Sequence, residues 1–378
     1  MKPMGTGVLL LEGGSASGEV DSTLQALRRA IAMDTLINWL TVPGTQVVLA
    51  SGNRQLLQAA EKLGAGRYDT GGGPFRLLDT LRAVLQEQKW QRVLCMGGAA
   101  APLATRQDLT EILGMLQAAP EPAVLMNNPL SADIVGFSPT SCLAGIQAAG
   151  CDNDLAFQLC HIGLRRVLLP PEPRLTFDLD TPSDALLLQW LVERGQPVGE
   201  RTRQALAGLP WDGWRLQAAV DVLARPGCEV ALLGRVGPGV VSEINQRLQC
   251  RLRVFSEERG MKALGRLASR SVTSLLGHYY QAVGGAEFFR ALGQVADVAF
   301  FDTRVLLAHL GCYVEAEQRF CSDLGWWREI THPGLREFTR LAWQTEVPVV
   351  LGGHSLVSGG LRLLVATLPA GRERNSPE

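Results

Sequence analysis

Polar residues next to glycines follow each of four predicted strands in the second half of the chain. Ligands of parallel α/β sheets collect just beyond the carboxyl ends of the strands, so residues at these ends are candidates for one shared pocket. We predict that arginines there bind an anion and that a histidine, oriented by Asp302 or Asp323, exchanges a proton with the ligand. The candidates in chain order are Arg235, Gly237, Arg259, Asp302, Arg304, His354 and Ser355.

The same residues also have a purely structural interpretation. The three arginines can form half-buried or solvated ion pairs with Glu257, Glu258 and Asp302. His354 lies between two glycine pairs on a loop that must turn sharply. A histidine in such a loop can serve only as a hydrogen-bonded part of the scaffold.

A pair of acids one residue apart ends a predicted strand in the first half. Asp178 and Asp180 belong to the run Phe177-Asp-Leu-Asp-Thr-Pro-Ser-Asp184. Side chains at positions i and i+2 of a strand point to the same side, so the two carboxylates lie together. The remainder of the run is explained by helix capping, with Thr181 as N-cap, proline at the first helical position and an acid in the first turn.

Three glycine-containing segments of the first half are candidates for holding a nucleotide through backbone N–H groups. The first follows the opening strand, within 11–18, and its candidate residues are Gly13, Gly14 and Ser15. The second is 71–73, with Gly73 as the candidate, and the third contains Gly98. The alternative for the first two is a plain connection between a strand and a helix.

Short apolar strands alternate with longer amphipathic helices along the chain, which is the pattern of βαβ units. We predict an α/β protein made of two doubly wound, mostly parallel, three-layer domains. The predicted division is 1–196, a linker at 197–215, a second domain at 216–370 and a flexible tail at 371–378.

Three segments resemble the GT-A-like nucleotidyltransferase superfamily, of the 2-phospho-L-lactate guanylyltransferase type and, more distantly, the molybdenum-cofactor guanylyltransferase type. They are the strand and helix within 46–66, the segment 71–109, and the Asp-x-Asp-Thr-Pro-x-Asp run at 178–184. The resemblance covers most of 5–195 and makes the first domain nucleotidyltransferase-like. It implies that Asp178 and Asp180 hold Mg²⁺ beside the phosphates of a nucleotide. The second half resembles no family with which we can compare it.

The chain departs from that family at two places. The loop at 11–18 contains no arginine or lysine to hold a triphosphate, and Glu12 and Glu19 would repel one. Alanines occupy 99–101, where the family has its other metal-binding acid. Nucleotidyl transfer depends on such charges, so we expect weak turnover unless Arg28, Arg29 or Arg76 supplies the missing positive charge.

The composition excludes several classes of function. With 36 Lys and Arg against 37 Asp and Glu, the net charge is −1, which gives no electrostatic preference for nucleic acid or an anionic membrane. No apolar stretch reaches membrane-spanning length. The eight cysteines form no Cys-x-x-Cys pair, which is typical of reduced thiols in a cytoplasmic protein, and neither zinc nor haem is expected. NAD is not expected either, because Pro238 removes a backbone donor from the loop at 234–239.

Two functions fit these observations. The first is a divergent nucleotidyltransferase-like protein that binds a nucleotide or small phosphorylated metabolite with Mg²⁺ and transfers a nucleotidyl group. The alternative is a non-catalytic binding or regulatory protein with a vestigial first domain and an anion site in the second. The sequence predicts no particular oligomeric state.

Overall fold

The computed structural model describes residues 5–71, 75–129, 131–146, 154–262 and 264–369. Its first sheet has seven strands: β1 (Thr6–Glu12), β2 (Thr45–Ser51), β3 (Gly66–Asp69), β4 (Arg92–Gly97), β5 (Ala123–Met126), β6 (Ile134–Ser138) and β7 (Arg165–Leu168). Their spatial order is β3-β2-β1-β4-β6-β5-β7. All neighbouring strands are parallel except β6, which runs antiparallel to both β4 and β5.

Helices cover both faces of this sheet, because its central strands are apolar on both sides. The helices of the first half are α1 (Glu19–Leu40), α2 (Arg54–Lys62), α3 (Leu77–Gln88), α4 (Arg106–Ala118), α5 (Leu155–His161), α6 (Pro173–Thr176) and α7 (Pro182–Glu193). Buried residues of α1, α2 and α4 form the core on one face. Those of α3 and α5 form the core on the other, so the first half has three layers.

The second sheet is smaller and entirely parallel. Its strands are β8 (Glu229–Gly234), β9 (Arg251–Ser256), β10 (Val298–Asp302) and β11 (Val349–Gly352), in the order β11-β10-β8-β9. The helices of this half are α8 (Glu200–Ala207), α9 (Trp214–Leu223), α10 (Pro238–Arg247), α11 (Leu275–Val283), α12 (Gly285–Val295), α13 (Arg304–His309), α14 (Ala316–Asp323), α15 (Pro333–Gln344) and α16 (Leu361–Thr367). The predicted α/β class with two mostly parallel sheets is confirmed.

The segment at 197–215, predicted as a linker, contains α8, and this helix packs against α1. Asp34 of α1 accepts hydrogen bonds from the backbone N–H and the hydroxyl of Thr202, at 2.8 and 2.7 Å. The division into domains and the tail at 371–378 remain predictions, and the tail lies outside the described residues. None of the described helices combines the length and hydropathy needed to cross a membrane.

The two sheets meet where α6 and α7 contact the loop after β11. The hydroxyl of Ser183 donates to Leu351 O at 2.5 Å, and both residues are buried. Gly359 lies directly on the backbone of Thr176, so that a Cβ atom at this glycine would overlap backbone atoms of Thr176 and Phe177. A continuous core of buried residues from α1, α7 and the second sheet extends across this joint.

We predict that Gly359→Ala destabilises the protein by about 1–3 kcal/mol, because backbone atoms cannot move aside as a flexible side chain can. The matched control is Gly114→Ala within α4, where no atom of the described residues outside the helix's own neighbouring backbone lies within 4 Å of the added Cβ. That control should stabilise the helix by up to about 1 kcal/mol. Urea unfolding of both variants measures the difference, and equal stabilities would contradict the tight joint.

Candidate functional site

A cavity of about 690 Å³ lies between the two sheets and is lined by residues that follow strands of both. The polar lining from the first half includes Arg28, Asn127, Asn128, Ser131, Asp133, Asp178, Asp180 and Thr181. The polar lining from the second half includes Arg235, Arg259, Lys262, Arg304, Glu315, Arg319, His354 and Ser355. Candidates predicted separately in the two halves therefore face the same space.

The three predicted arginines converge on this cavity but differ in their partners. Arg235 donates to both carboxylate oxygens of Asp302, at 2.6 and 3.1 Å. Arg304 binds Asp323 in the same way, at 3.1 and 2.5 Å. Arg259 forms no ion pair with a described carboxylate, and burial together with the charge of Arg235 lowers its pKa. Arg259 is thus a desolvated cation that lacks a full counter-charge.

The alternative interpretation is that these arginines form ion pairs with Glu257, Glu258 and Asp302. Only one of these three acids forms such a pair. Asp302 does pair with Arg235. Glu258 pairs instead with Arg266, and Glu257 accepts a hydrogen bond from the hydroxyl of Ser274 at 2.6 Å. These two glutamates therefore do not neutralise the cavity.

Two contacts fix the protonation state of His354. Its Nε2 accepts a hydrogen bond from Arg259 at 2.7 Å, so its Nδ1 carries the proton and donates to Arg235 O at 3.0 Å. Burial, reinforced by the positive charges of Arg259 and Arg235, lowers the pKa of His354 from 6.5 to about 3. The ring is neutral near pH 7, and its catalytic role remains a prediction.

Asp302 does not orient His354, which corrects the sequence-based expectation. Its side chain is fully buried, and its oxygens accept from the Arg235 guanidinium and from the backbone N–H of Arg304. Burial alone would raise the pKa of Asp302, but its pairing with Arg235 lowers it overall. Asp302 is a positioning residue for Arg235 and does not line the cavity. Asp323 binds Arg304 and leaves the histidine free of a carboxylate partner among the described residues.

The acids of the first half face the same cavity. Burial, with repulsion from Asp180 and Asp133, holds the pKa of Asp178 well above its usual range. Burial and Asp180 raise the pKa of Asp133 to about 7, although Arg259 acts in the opposite direction. Three carboxylates from two loops therefore repel one another. The pKa of the neighbouring Arg28 rises, because the charges of Glu12, Asp180, Asp178 and Asp21 more than offset its burial.

The alanine run at 99–101 lies directly beside the acid pair. Ala100 and Asp178 form an isolated antiparallel bridge, and the backbone N–H of Ala101 donates to Phe177 O at 3.0 Å. The backbone therefore brings the two family positions together, but one of them carries no carboxylate. Within the described ranges, no group of three or more His, Cys, Asp or Glu side chains has the arrangement of a metal site.

The predicted glycine loop is not part of the lining of the cavity that the acid pair faces. Gly13, Gly14 and Ser15 are exposed. The helix that follows them, α1, already has an anion at its N-terminus: Glu317 of α14 accepts from the backbone N–H groups of Val20 and Asp21, at 3.1 and 2.9 Å.

The other candidate residues make packing contacts or hydrogen bonds within the protein. Gly98 is packed so closely that an added Cβ would lie 2.7 Å from Ala32. Gly237 is the residue before α10 and faces Ser358, not the cavity. The hydroxyl of Ser355 accepts from the backbone N–H of Asp178 at 2.9 Å and so joins the two halves at the cavity wall. Gly73 lies outside the described residues.

The sequence patterns do not identify several residues that line the cavity. Asp133 precedes β6, and the sequence pattern did not predict this antiparallel strand. Lys262 and Arg319 lie in or next to segments without a strand signal. The sequence indicates Arg28 only as a possible source of positive charge for the nucleotide, and its position within a helix gives no indication that it reaches the cavity.

No family model matches the chain, and no curated protein matches it. Among solved structures, a nucleotidyl transferase from Methanothermobacter thermautotrophicus is 13% identical and matches over 49% of this chain and 95% of its own, with a TM-score of 0.39. A cytidylyltransferase from Leptospira borgpetersenii is also 13% identical, over 50% of this chain and 87% of its own, with a TM-score of 0.38. A 4-diphosphocytidyl-2C-methyl-D-erythritol synthase from Anaerococcus prevotii is 11% identical, over 48% and 95%, with a TM-score of 0.34.

These neighbours have nucleotidyltransferase-like folds and match the first half of the chain. With TM-scores of 0.39 or less, these matches do not establish the family of this chain. The guanylyltransferase subtype remains a prediction, and identities this low carry neither activity nor substrate to this chain.

We predict that Glu317→Gln lowers the free energy of unfolding by about 1 kcal/mol, because the α1 N-terminus loses a charged acceptor at the positive end of the helix dipole. Glu287→Gln, which removes a solvent-exposed ion pair with Arg290, is the control and should leave the stability unchanged, because water screens such a pair. The measurement is urea unfolding at low ionic strength. An unchanged stability for Glu317→Gln would mean that the contact across the two halves contributes nothing.

We also predict that wild-type protein loses about 1 kcal/mol more stability than His354→Gln between pH 7.5 and pH 5.5. The unfolded chain protonates His354 near pH 6.5, whereas the folded state holds it neutral down to about pH 3. The unfolded state therefore binds an additional proton as the pH falls, and folding weakens. Glutamine can accept from Arg259 and donate to Arg235 O without titrating. Parallel losses in both proteins would contradict the neutral state of His354.

Proposed function

We propose that this protein binds a small phosphorylated ligand, a nucleotide or a phosphorylated metabolite, in the cavity between its two sheets. The observation that carries the proposal is Arg259, a desolvated guanidinium that faces the cavity without an ion-pair partner among the described carboxylates. A cation that is largely removed from water in this way is costly unless an anion completes it. A phosphate group supplies that anion and matches the donor geometry of arginine.

The charge of the whole lining supports an anionic ligand. Six cationic side chains and four carboxylates are among the described lining residues. Two of the cations, Arg235 and Arg304, are already paired with acids behind the cavity wall. Arg28, Arg259, Lys262 and Arg319 have no such ion pair with a described carboxylate and are available to a ligand.

The opposite part of the lining supports a ligand that also has an apolar or aromatic body. Met261, Leu267, Leu307, Val314 and Phe320 supply apolar surface there. Tyr313, which is 39% exposed, presents an aromatic ring beside them. A nucleotide has this combination of a charged phosphate end and a flat aromatic end.

The acid pair fits a Mg²⁺ ion bound together with the ligand. Burial, with repulsion from Asp180 and Asp133, holds the pKa of Asp178 well above its usual range, and a divalent cation would relieve that repulsion. Mg²⁺ typically takes one or two carboxylates and completes its octahedron with substrate phosphates and water. Asp178 and Asp180 would hold the ion, with Asp133 nearby, and the ion would neutralise the phosphates.

The alternative, a binding protein without nucleotidyl transfer, is favoured by one specific observation. Alanine at position 100 is bridged to Asp178 in place of a second metal-binding acid. Transfer would then lack part of the charge that stabilises the departing pyrophosphate. Binding does not require that charge, so the ligand proposal holds under either alternative.

The test is thermal stabilisation of wild-type protein and of Arg259→Gln by GTP, CTP, UTP and sugar nucleotides, each with and without Mg²⁺. We expect at least one ligand to raise the melting temperature of wild type. Arg259→Gln should weaken binding of that ligand by about 10-fold to 100-fold, because a charge-assisted hydrogen bond contributes roughly 1.5–3 kcal/mol. The melting temperature of the free variant should change little.

Two further variants sharpen this test. Arg290→Gln removes an exposed arginine far from the cavity lining and should bind the ligand like wild type. Asp180→Asn should abolish the part of the stabilisation that depends on Mg²⁺ and leave the remainder. The proposal fails if no ligand stabilises wild type at millimolar concentration, or if Arg259→Gln responds as wild type does.

A further inference from the structure

A second cleft, of about 900 Å³, is lined by four of the eight tryptophans in the chain. They come from three separate segments: Trp214 begins α9, Trp326 and Trp327 follow α14, and Trp343 belongs to α15. Among the residues that the structure describes, none lines both this cleft and the cavity between the sheets. The concentration of aromatic rings therefore has no part in the site described above.

The backbone holds these rings in place. Gly325 adopts a left-handed conformation, with φ of +74°, and lies so close to Trp343 that a Cβ atom would overlap the ring. Trp326 N–H donates to Cys321 O at 2.8 Å, which fixes the turn that presents Trp326 and Trp327. Trp214 packs edge-on against Trp343 with ring centroids 5.5 Å apart. The cleft is thus built from rigid turns.

Three of the four tryptophan rings already contact cations from the protein. The guanidinium of Arg215 lies 4.7 Å from the ring centroid of Trp343 and 5.6 Å from that of Trp214, and the guanidinium of Arg328 lies 4.3 Å from Trp327. Two rings nevertheless retain solvent-exposed surface, since Trp214 is 49% exposed and Trp326 is 38% exposed. Exposed indole faces are the aromatic surfaces to which cations bind best.

The charges around the rings are mainly negative. Glu19, Asp212, Glu317 and Glu329 line the cleft, against Arg328 as the one cation among its described lining residues. Glu317 is occupied at the N-terminus of α1. The other three carboxylates form no ion pair with a described cation. Arg215, which lies over Trp214 and Trp343, adds a second cation, so four carboxylates stand against two cations around the rings. This excess of carboxylates favours a positively charged ligand and disfavours the anion for which the other cavity is suited.

We propose that this cleft binds an organic cation, a quaternary or alkylated ammonium group on an apolar body. The cation lies against the exposed faces of Trp214 and Trp326, and Asp212 and Glu329 supply the counter-charge. An alkylated ammonium is suited to the site because it is weakly hydrated and loses little when it leaves water for an aromatic surface. The inference does not rest on the ligand proposed for the other cavity.

The test is a ligand-observed NMR titration with choline and with its neutral isostere 3,3-dimethylbutan-1-ol, which has the same shape without the charge. Wild-type protein should bind choline at least about tenfold more tightly than the alcohol. Trp326→Leu keeps apolar volume and removes the aromatic face, and it should weaken choline binding by about fivefold or more. Glu329→Gln keeps the shape and removes one charge, and it should weaken choline binding by about twofold to fivefold.

Arg259→Gln is the control for separation of the two sites and should bind choline as wild type does. Equal binding of choline and the alcohol would overturn the proposal, because it would reduce the cleft to an apolar surface. No detectable choline binding at tens of millimolar would overturn it as well. Unchanged binding by both Trp326→Leu and Glu329→Gln, with melting temperatures equal to that of wild type, would place the cation elsewhere and also contradict the proposal.

Discussion

The first turn of α7 is the contact on which the cavity between the sheets depends. Asp184 is fully buried there and accepts hydrogen bonds from the backbone N–H of Asp180 and from the backbone and hydroxyl of Thr181, at 2.8 to 3.2 Å. One residue earlier, Ser183 binds the end of β11. A single helix start therefore fixes the acid pair of one sheet relative to the histidine loop of the other.

Each side of that joint carries charges that are not fully neutralised. The first half contributes Asp133 and Asp178, whose pKa values are raised by burial and by the charge of Asp180. The second half contributes Arg259, whose pKa is lowered by burial and by Arg235. The two groups do not neutralise each other fully, although Arg259 acts on Asp133. Unlike charges held apart in one cavity can bind a ligand that itself carries both an anion and a metal cation.

Much of the fold could be predicted from the sequence, because apolar strands alternating with amphipathic helices determine a parallel α/β arrangement. The alternating pattern does not indicate β3, a short polar edge strand with the sequence Gly-Arg-Tyr-Asp, or β6, which enters the sheet in reverse. Because β6 is antiparallel, its first residues lie at the edge where the parallel strands end. This reversal brings Asp133 beside Asp180, and no strand-end argument based on parallel strands could have found it.

The contact of Glu317 with α1 joins residues almost three hundred positions apart, so no local pattern indicates it. Because of this contact, Glu317 competes with free anions for the N-terminus of α1. The N-terminus of a long helix attracts any anion in solution, but here a carboxylate on the same chain is present at an effective concentration that free phosphate cannot match. Free phosphate can take that place only if α14 first leaves α1. An external anion can therefore bind at this helix end only when the two halves separate there.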